Sequence, residues 1–343
     1  MKAIVLHGAQ DLRIEERPDP GPGPGQVLVA IEKGGICGSD LHYFQDGRIG
    51  AFRVREPMIL GHEISGRVAA LGAGVEGLAE GQPVAVSPSR PCGACRYCRE
   101  GMPNQCPNMR FYGSAMPFPH IQGAFADLLV AEPEQCVPTD GLTSAEAAMA
   151  EPLAVVLHAA SLAGRLLGRR VLVTGCGPIG LLAILVARAA GAAEIVATDI
   201  TAFTLAKAGA LGASETINVR EAPDGLNRFE ADKGHFDVLF ECSGVAAALA
   251  PAVPALRPGA VIVQLGLGGD MTLPLQAMTV KELILRGSFR FHSEFRLAVE
   301  MMRTGRLEVV PLVTHVRPMT DAGAAFTLAA DRNEAIKVHL AFG

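Results

Sequence analysis

The chain has 343 residues, 49% of them hydrophobic and 19% charged, with a formal net charge of −5. That length and core-rich composition suit two domains of ordinary size and exclude a disordered chain, while the mild acidity weighs against nucleic acid or an anionic membrane as partner. The longest apolar stretches, such as 181–187, are far too short to span a bilayer, and no targeting segment stands before MKAIVLHG, so the cytoplasm is the expected compartment.

The first 150 residues read as short strands broken by Gly and Pro, at 2–6, 26–35, 63–72 and 82–88, which predicts a compact β-rich barrel or sandwich. Two groups of metal-ligating residues fall inside it. GGICGSDLHY at 34–43 and GHE at 61–63 put Cys37, His62 and Glu63 in separate turns. They are soft, borderline and hard ligands, a mixture that suits zinc with one position open for substrate. Singly, such residues are as often ordinary core or surface. The second group is PCGACRYCREGMPNQC, in which Cys92, Cys95, Cys98 and Cys106 are spaced C-x2-C-x2-C-x7-C. Four thiolates so spaced can close a tetrahedron around one zinc and leave no position for chemistry, so this site is expected to hold shape. Two disulfides or a nucleic-acid-binding knuckle are the rivals. A reducing compartment disfavours the first, and the sparse basic residues disfavour the second.

From about residue 150 apolar strands alternate with Ala/Leu-rich helices. Strands are predicted at 170–175, 194–199, 237–244 and 260–266, with helices at 178–191, 202–212 and 246–257. This is the pattern of βαβ units on a parallel sheet. The last 50 residues are mixed and are expected to pack back on the first domain. The predicted domains are thus 1–150 plus 290–343, and 151–289.

VLVTGCGPIGLLAILVARAAGAAEIVATD carries Gly175, Gly177 and Gly180 as G-x-G-x-x-G between a strand and an apolar helix. The first glycine permits the tight turn, the second lets backbone approach a pyrophosphate, and the third allows close helix–strand packing. Asp199 closes the next strand 19 residues after Gly180, where a carboxylate can bind ribose hydroxyls. The alternative is a glycine turn that binds nothing. Asp199 would repel a 2′-phosphate and no arginine follows it closely, so NAD is favoured, with NADP as the second possibility. Pro178, Ile179 and Leu265 are further expected cofactor contacts.

GGICGSDLH, GHE, the four-cysteine lobe, EPLAVVLHA at 151–159 and GCGPIG together resemble the medium-chain zinc-dependent alcohol dehydrogenase family, over essentially the whole chain. The resemblance is strongest to its polyol branch, in which Glu151 replaces the usual third zinc cysteine. DLHYFQDGRIGAF at 40–52, PSRPCG at 88–93, MRFYGSAMPFPH at 109–120 and LRGSFRF at 285–291 resemble the sugar-acid dehydrogenases within that branch. The resemblance implies an α/β protein, a GroES-like β-rich catalytic domain joined to a Rossmann domain with a doubly wound parallel sheet. It also implies a catalytic and a structural zinc in each subunit, and a dimer or tetramer.

The same resemblance makes Cys37 and His62 ligands of the catalytic zinc, with Glu63 or Glu151 completing the shell and the other acting through water. Asp40 would orient a ligand histidine, although it can also be a plain turn residue. Ser39 would be the relay hydroxyl and His42 would pass the proton to solvent. Ser39 can otherwise simply cap the turn, and His42 can be a surface residue. The substrate would be a polyol or sugar acid. Tyr43 and Phe111 would wall its pocket, Arg290 would lie near it, and Arg110 or His120 would receive a carboxylate. Arg110 can equally be a solvated charge. A non-catalytic nucleotide-binding protein is the alternative of a different class, against which the Cys37, His62, Glu63 and Ser39 set counts.

Overall fold

The computed structural model describes all residues, 1–343. The chain forms two compact units. One comprises Met1–Glu151, His292–Asp331 and Lys337–Gly343, and the other Pro152–Phe291 with Arg332–Ile336.

The first unit is built on a seven-stranded sheet. Its strands run in the order Cys136–Pro138, Pro83–Val86, Glu63–Leu71, Val27–Gly35, Lys337–Ala341 and Val313–Pro318, with Leu128–Ala131 also paired to Val27–Gly35. A three-stranded sheet of Asp11–Glu16, Lys2–Gly8 and Met58–Ile59 accompanies it. The buried face of Lys2–Gly8 holds Ala3, Ile4, Val5 and Leu6 without exposure. The strands expected near 2–6, 26–35, 63–72 and 82–88 are all present. Asp11–Glu16, Leu128–Ala131 and Cys136–Pro138 add to them. The first of these has only two apolar residues, Leu12 and Ile14, alternating with charged ones, and none of its residues is buried, so the run was too short and polar to stand out.

The C-terminal residues enter this sheet. Lys337–Ala341 pairs antiparallel with Val27–Gly35 and parallel with Val313–Pro318. Of its five residues, Lys337, Val338, His339 and Leu340 are buried. The strand is therefore central, although two of those residues are polar.

The second unit is a six-stranded sheet in the order Glu215–Asn218, Glu194–Asp199, Arg170–Thr174, Phe236–Glu241, Leu256–Gln264, Ile284–Gly287. Every neighbouring pair is parallel. Numbered along the chain the order is 3-2-1-4-5-6, the doubly wound dinucleotide-binding arrangement, which reverses between Arg170–Thr174 and Phe236–Glu241. Leu172, Val196, Phe236, Leu239 and Ile262 belong to the core on one face. The edge strands Glu215–Asn218 and Ile284–Gly287 escaped the sequence reading because each is four residues long with little burial. The expected helix 246–257 stops at Ala252, since Pro251 and Pro254 prevent its continuation.

Candidate active site

Strand Val27–Gly35 delivers Cys37 to the mouth of helix Gly38–Asp46, where it is the N-cap. Asp40, fully buried in the first turn, accepts from the Cys37 amide at 3.0 Å through Oδ2 and from the Gly61 amide at 3.2 Å through Oδ1. One carboxylate thus ties together the two turns that carry Cys37 and His62. Its Oδ1 also stands 3.7 Å from His62 Nδ1, the side an imidazole turns to a carboxylate when its other nitrogen ligates a metal.

Donor atoms of Cys37, His62 and Glu63 lie within 4.8 Å of one another. Glu151, in the first turn of helix Ala150–Ala163, is buried close enough to feel the charges of His62, Glu63 and Cys37. Burial pushes the Glu151 carboxyl up to about 8, and burial together with the Glu63 carboxylate pushes the Cys37 thiol up to about 12. A half-buried thiol beside a buried imidazole and two buried carboxylates is a poor set of neighbours. A divalent cation is what makes such a set stable in its deprotonated form, and one sulfur, one nitrogen and carboxylate oxygen suit zinc.

One cation is already present. Lys337 Nζ lies 2.8 and 2.7 Å from the two Glu63 oxygens and donates to the Ile36 carbonyl at 3.2 Å. Burial alone would lower its pKa, but Glu63 first, then Cys37 and Glu151, together outweigh burial and hold the ammonium above the ordinary lysine range. The sequence reading missed Lys337. The available signal was a lysine placed within the apolar run of AIKVHLAF.

Of the other expected residues, Ser39 is half-buried and hydrogen-bonded to the Cys37 side chain. His42 is exposed, with Nδ1 3.8 Å from Asp46. Phe111 packs against His62 with ring centroids 5.6 Å apart. Tyr43 is buried, its hydroxyl accepting from the Ala115 amide at 3.1 Å.

One expectation needs correction. His120 is buried with both ring nitrogens engaged, Nε2 with the Arg55 amide at 2.9 Å and Nδ1 with the Pro117 carbonyl at 2.9 Å. A neutral ring satisfied on both sides has no donor left for a substrate carboxylate. Arg110 is exposed in the strand Arg110–Phe111, and successive strand residues face opposite sides. Phe111 faces His62, so Arg110 leaves the strand on the opposite side from the ring.

The four-cysteine lobe is assembled as expected, with its sulfurs within 4.8 Å of one another. All four are free thiols, Cys95 Sγ lying 3.4 Å from Cys98 Sγ and 3.9 Å from Cys106 Sγ. Amides point at the sulfurs, Cys98 N at Cys95 and Cys92 N at Cys106. The amides of Ala94 and Cys95 pull the Cys92 thiol down to about 6, toward the thiolate a metal needs.

In the second unit Gly175 turns at φ +85°. A Cβ on Gly180 would lie 1.8 Å from the Gly175 carbonyl, whereas one on Gly177, the N-cap of helix Pro178–Ala189, would meet nothing. The turn, the open approach and the close packing therefore fall on Gly175, Gly177 and Gly180 in the order the fingerprint requires. Asp199 accepts from the amides of Cys176 at 2.6 Å, Ile200 at 2.7 Å and Thr201 at 3.0 Å, which fixes its carboxylate at the carboxyl end of its strand. Pro178 and Ile179 are half-buried beside Gly177. The Leu265 amide donates to the Glu241 carbonyl at 2.8 Å. Arg290 has φ +57° and lies over the Phe289 ring at 4.9 Å.

Residues 23–141 match the family model of the alcohol dehydrogenase GroES-like domain, and residues 178–304 that of zinc-binding dehydrogenases. The chain is 44% identical to L-idonate 5-dehydrogenase (NAD(P)(+)) of Escherichia coli (strain K12), covering 99% of this chain and 98% of that protein. The chain belongs to the zinc-binding alcohol dehydrogenase family. This dehydrogenase is also 40% identical to sorbitol dehydrogenase of Gallus gallus, over 98% and 95% of the two chains. The crystal structure of L-idonate 5-dehydrogenase from Escherichia coli K-12 superimposes on it with a TM-score of 0.95 at 42% identity, covering 99% of this chain and 98% of the other. As a member of this family the chain is an oxidoreductase that uses zinc and a nicotinamide dinucleotide. No helix of the zinc-binding dehydrogenase is long and apolar enough to cross a membrane.

Proposed function

We propose that this dehydrogenase oxidises a secondary hydroxyl of a sugar acid, L-idonate to 5-keto-D-gluconate, with NAD(P)+ as hydride acceptor. The observation that carries the chemistry is the buried meeting of Cys37, His62, Glu63 and Glu151. The full-length likeness to L-idonate 5-dehydrogenase supports the choice of substrate.

Cys37, His62 and Glu63 would hold the catalytic zinc, since their donor atoms converge, with Glu151 outside that group and acting through water. Bound there, zinc supplies Lewis acidity that lowers the pKa of a hydroxyl, and the nicotinamide ring supplies the hydride acceptor. Ser39 would accept the hydroxyl proton and His42 would carry it outward. The two are three residues apart on one helix, hence neighbours on its surface, and exposure rises from Ser39 to His42. Asp40 would keep both ligand turns in register. Tyr43 and Phe111 would wall the substrate side, and Arg290 would be its cation. Cys92, Cys95, Cys98 and Cys106 would hold the structural zinc. Gly175, Gly177, Pro178, Ile179, Gly180, Asp199, Leu265 and Arg290 would contact the dinucleotide, with NAD preferred.

A homo-oligomer in the cytoplasm completes the proposal. Strand Ile284–Gly287 supports self-association, being the edge of its sheet with all four residues exposed, Ile284 and Leu285 among them.

The sorbitol-type polyol reaction is the second reading, favoured by the 40% relative and by the engaged ring of His120, which leaves Arg110 as the expected carboxylate receiver of the first reading. Initial rates of the zinc-replete protein with L-idonate, sorbitol, D-gluconate and L-threonine, each with NAD+ and NADP+, test the two. Preference for L-idonate supports the proposal. Preference for sorbitol selects the second reading, and preference for threonine rejects both.

A further inference from the structure

We infer that Glu241 is a positioning residue of the dinucleotide site, acting through the turn on which the first fingerprint glycine packs. This rests on the reading of the Gly175 turn as that site. Glu241 ends strand Phe236–Glu241, immediately beyond the point where strand order reverses, and it is fully buried. Strand register aligns it with Thr174 on one side and Gln264 on the other.

Both carboxylate oxygens are surrounded by donors. Oε1 accepts from the Ser243 amide at 2.9 Å, from the Ser243 hydroxyl and from Thr174 Oγ1 at 3.4 Å. Oε2 accepts from the Gly244 amide at 3.0 Å and from Gln264 Nε2. The backbone carbonyl of Glu241 takes the Leu265 and Gly266 amides at 2.8 and 2.9 Å. A single residue therefore fixes both the 242–245 turn and the loop that follows Leu256–Gln264. An ionised carboxylate, all acceptor, suits this set, and no neutral side chain of similar shape does.

The held turn is a packing surface for backbone. A Cβ on Gly175 would lie 2.8 Å from the Ser243 amide nitrogen. A Cβ on Gly266 would lie 2.0 Å from the Gly244 nitrogen, and one on Gly268 1.7 Å from the Gly244 carbonyl oxygen. Because Gly175, Gly266 and Gly268 have no side chain to absorb a shift, displacement of Ser243–Gly244 passes directly to Gly175 and so to the amides offered to the pyrophosphate. Glu241 exerts its effect entirely through those contacts.

The test is NADH affinity, read by fluorescence titration of zinc-replete wild type, Glu241→Gln and Ser243→Ala, with melting temperature and steady-state kinetics on the same samples. Glu241→Gln puts an amide donor among donors and is expected to weaken NADH binding about tenfold. KM for the coenzyme should rise with it, while kcat at saturating coenzyme stays within about twofold. Ser243→Ala removes only the hydroxyl and should give a weaker shift in the same direction, about threefold, which decides the matter if Glu241→Gln does not fold. A lowered melting temperature with unchanged NADH affinity in the folded variants would overturn the inference alone. Failure of the wild type to bind NADH or NADPH would remove the dinucleotide reading and the inference with it.

Discussion

Lys337 places its ammonium 2.8 and 2.7 Å from the two carboxylate oxygens of Glu63, and both side chains are almost wholly buried. The strand register makes this possible. Glu63 lies opposite Gly35, and Gly35 lies opposite His339, two residues after Lys337 on the same face. A Cβ on Gly35 would sit 2.2 Å from Glu63 Oε2, so the carboxylate occupies the room a side chain would need and reaches Lys337 across the strand. The lysine neutralises the Glu63 carboxylate, one of the three acidic groups that Cys37, Glu63 and Glu151 bring to the same place.

Breaking a buried pair leaves a charge without compensation. Lys337→Met and Glu63→Gln should each lower stability by about 3–5 kcal/mol, and the double variant by clearly less than the sum. Denaturant unfolding of the zinc-replete wild type, two singles and double measures the coupling, and additive losses would show that the pair is not one unit.

Gly35→Ala should displace the Glu63 carboxylate while leaving the cysteine lobe untouched. A shift of this size in a ligand costs about a hundredfold in kcat/KM. Metal analysis should show lobe zinc retained at full occupancy, and unaltered kinetics would mean that Glu63 has room to move.

The lobe and the catalytic cluster should separate in the opposite sense with Cys98→Ser. Zinc content is expected to fall from two per chain toward one, matching the two donor groups. The melting temperature should drop by roughly 5–10 °C. Residual kcat per folded molecule, measured well below melting, should remain within about twofold. Loss of kcat in step with lobe zinc would assign that metal a chemical role.

His339 is fully buried with neither ring nitrogen hydrogen-bonded, and burial together with Lys337 pushes it from 6.5 down to about 3. Below pH 6.5 the unfolded chain takes up a proton at this position that the folded chain refuses. Stability is then present in full above 6.5 and lost as pH falls toward 3, at about 1.4 kcal/mol per pH unit from this group. His339→Leu should flatten that part of the acid limb when unfolding free energies at pH 7 and pH 5 are compared. An unchanged slope would mean the imidazole protonates in the folded state.

Asp199 is held by three backbone amides at the end of its strand. Asp199→Ala should raise KM for NAD+ about tenfold to a hundredfold and KM for NADP+ much less, narrowing the preference between them. An equal rise for both coenzymes would place its role in holding the turn rather than in contacting ribose.

The readable parts of this protein were those whose chemistry is local in the chain. Cys92 to Cys106 form one cluster because their spacing alone brings them together, and Gly175, Gly177 and Gly180 serve one turn because each task falls within six residues. Parallel strands such as Arg170–Thr174 announced themselves as continuous apolar runs. Short half-exposed edge strands carried no such signal, and His120 was misassigned because a residue type tells nothing of the donors and acceptors already spent.

Sequence by itself determined the family, the two metal-ligating groups and the nucleotide fingerprint. Tertiary structure alone decided which charges meet. Lys337 and Glu63 are 274 residues apart, and only the entry of the C-terminal strand into the first sheet brings them to hydrogen-bonding distance. Glu241 is likewise an unremarked acid at a strand end until register sets it between Thr174 and Gln264. The energy of a buried carboxylate depends on the donors around it, and those donors are gathered by strand pairing, which the residue's own neighbours in the chain do not encode.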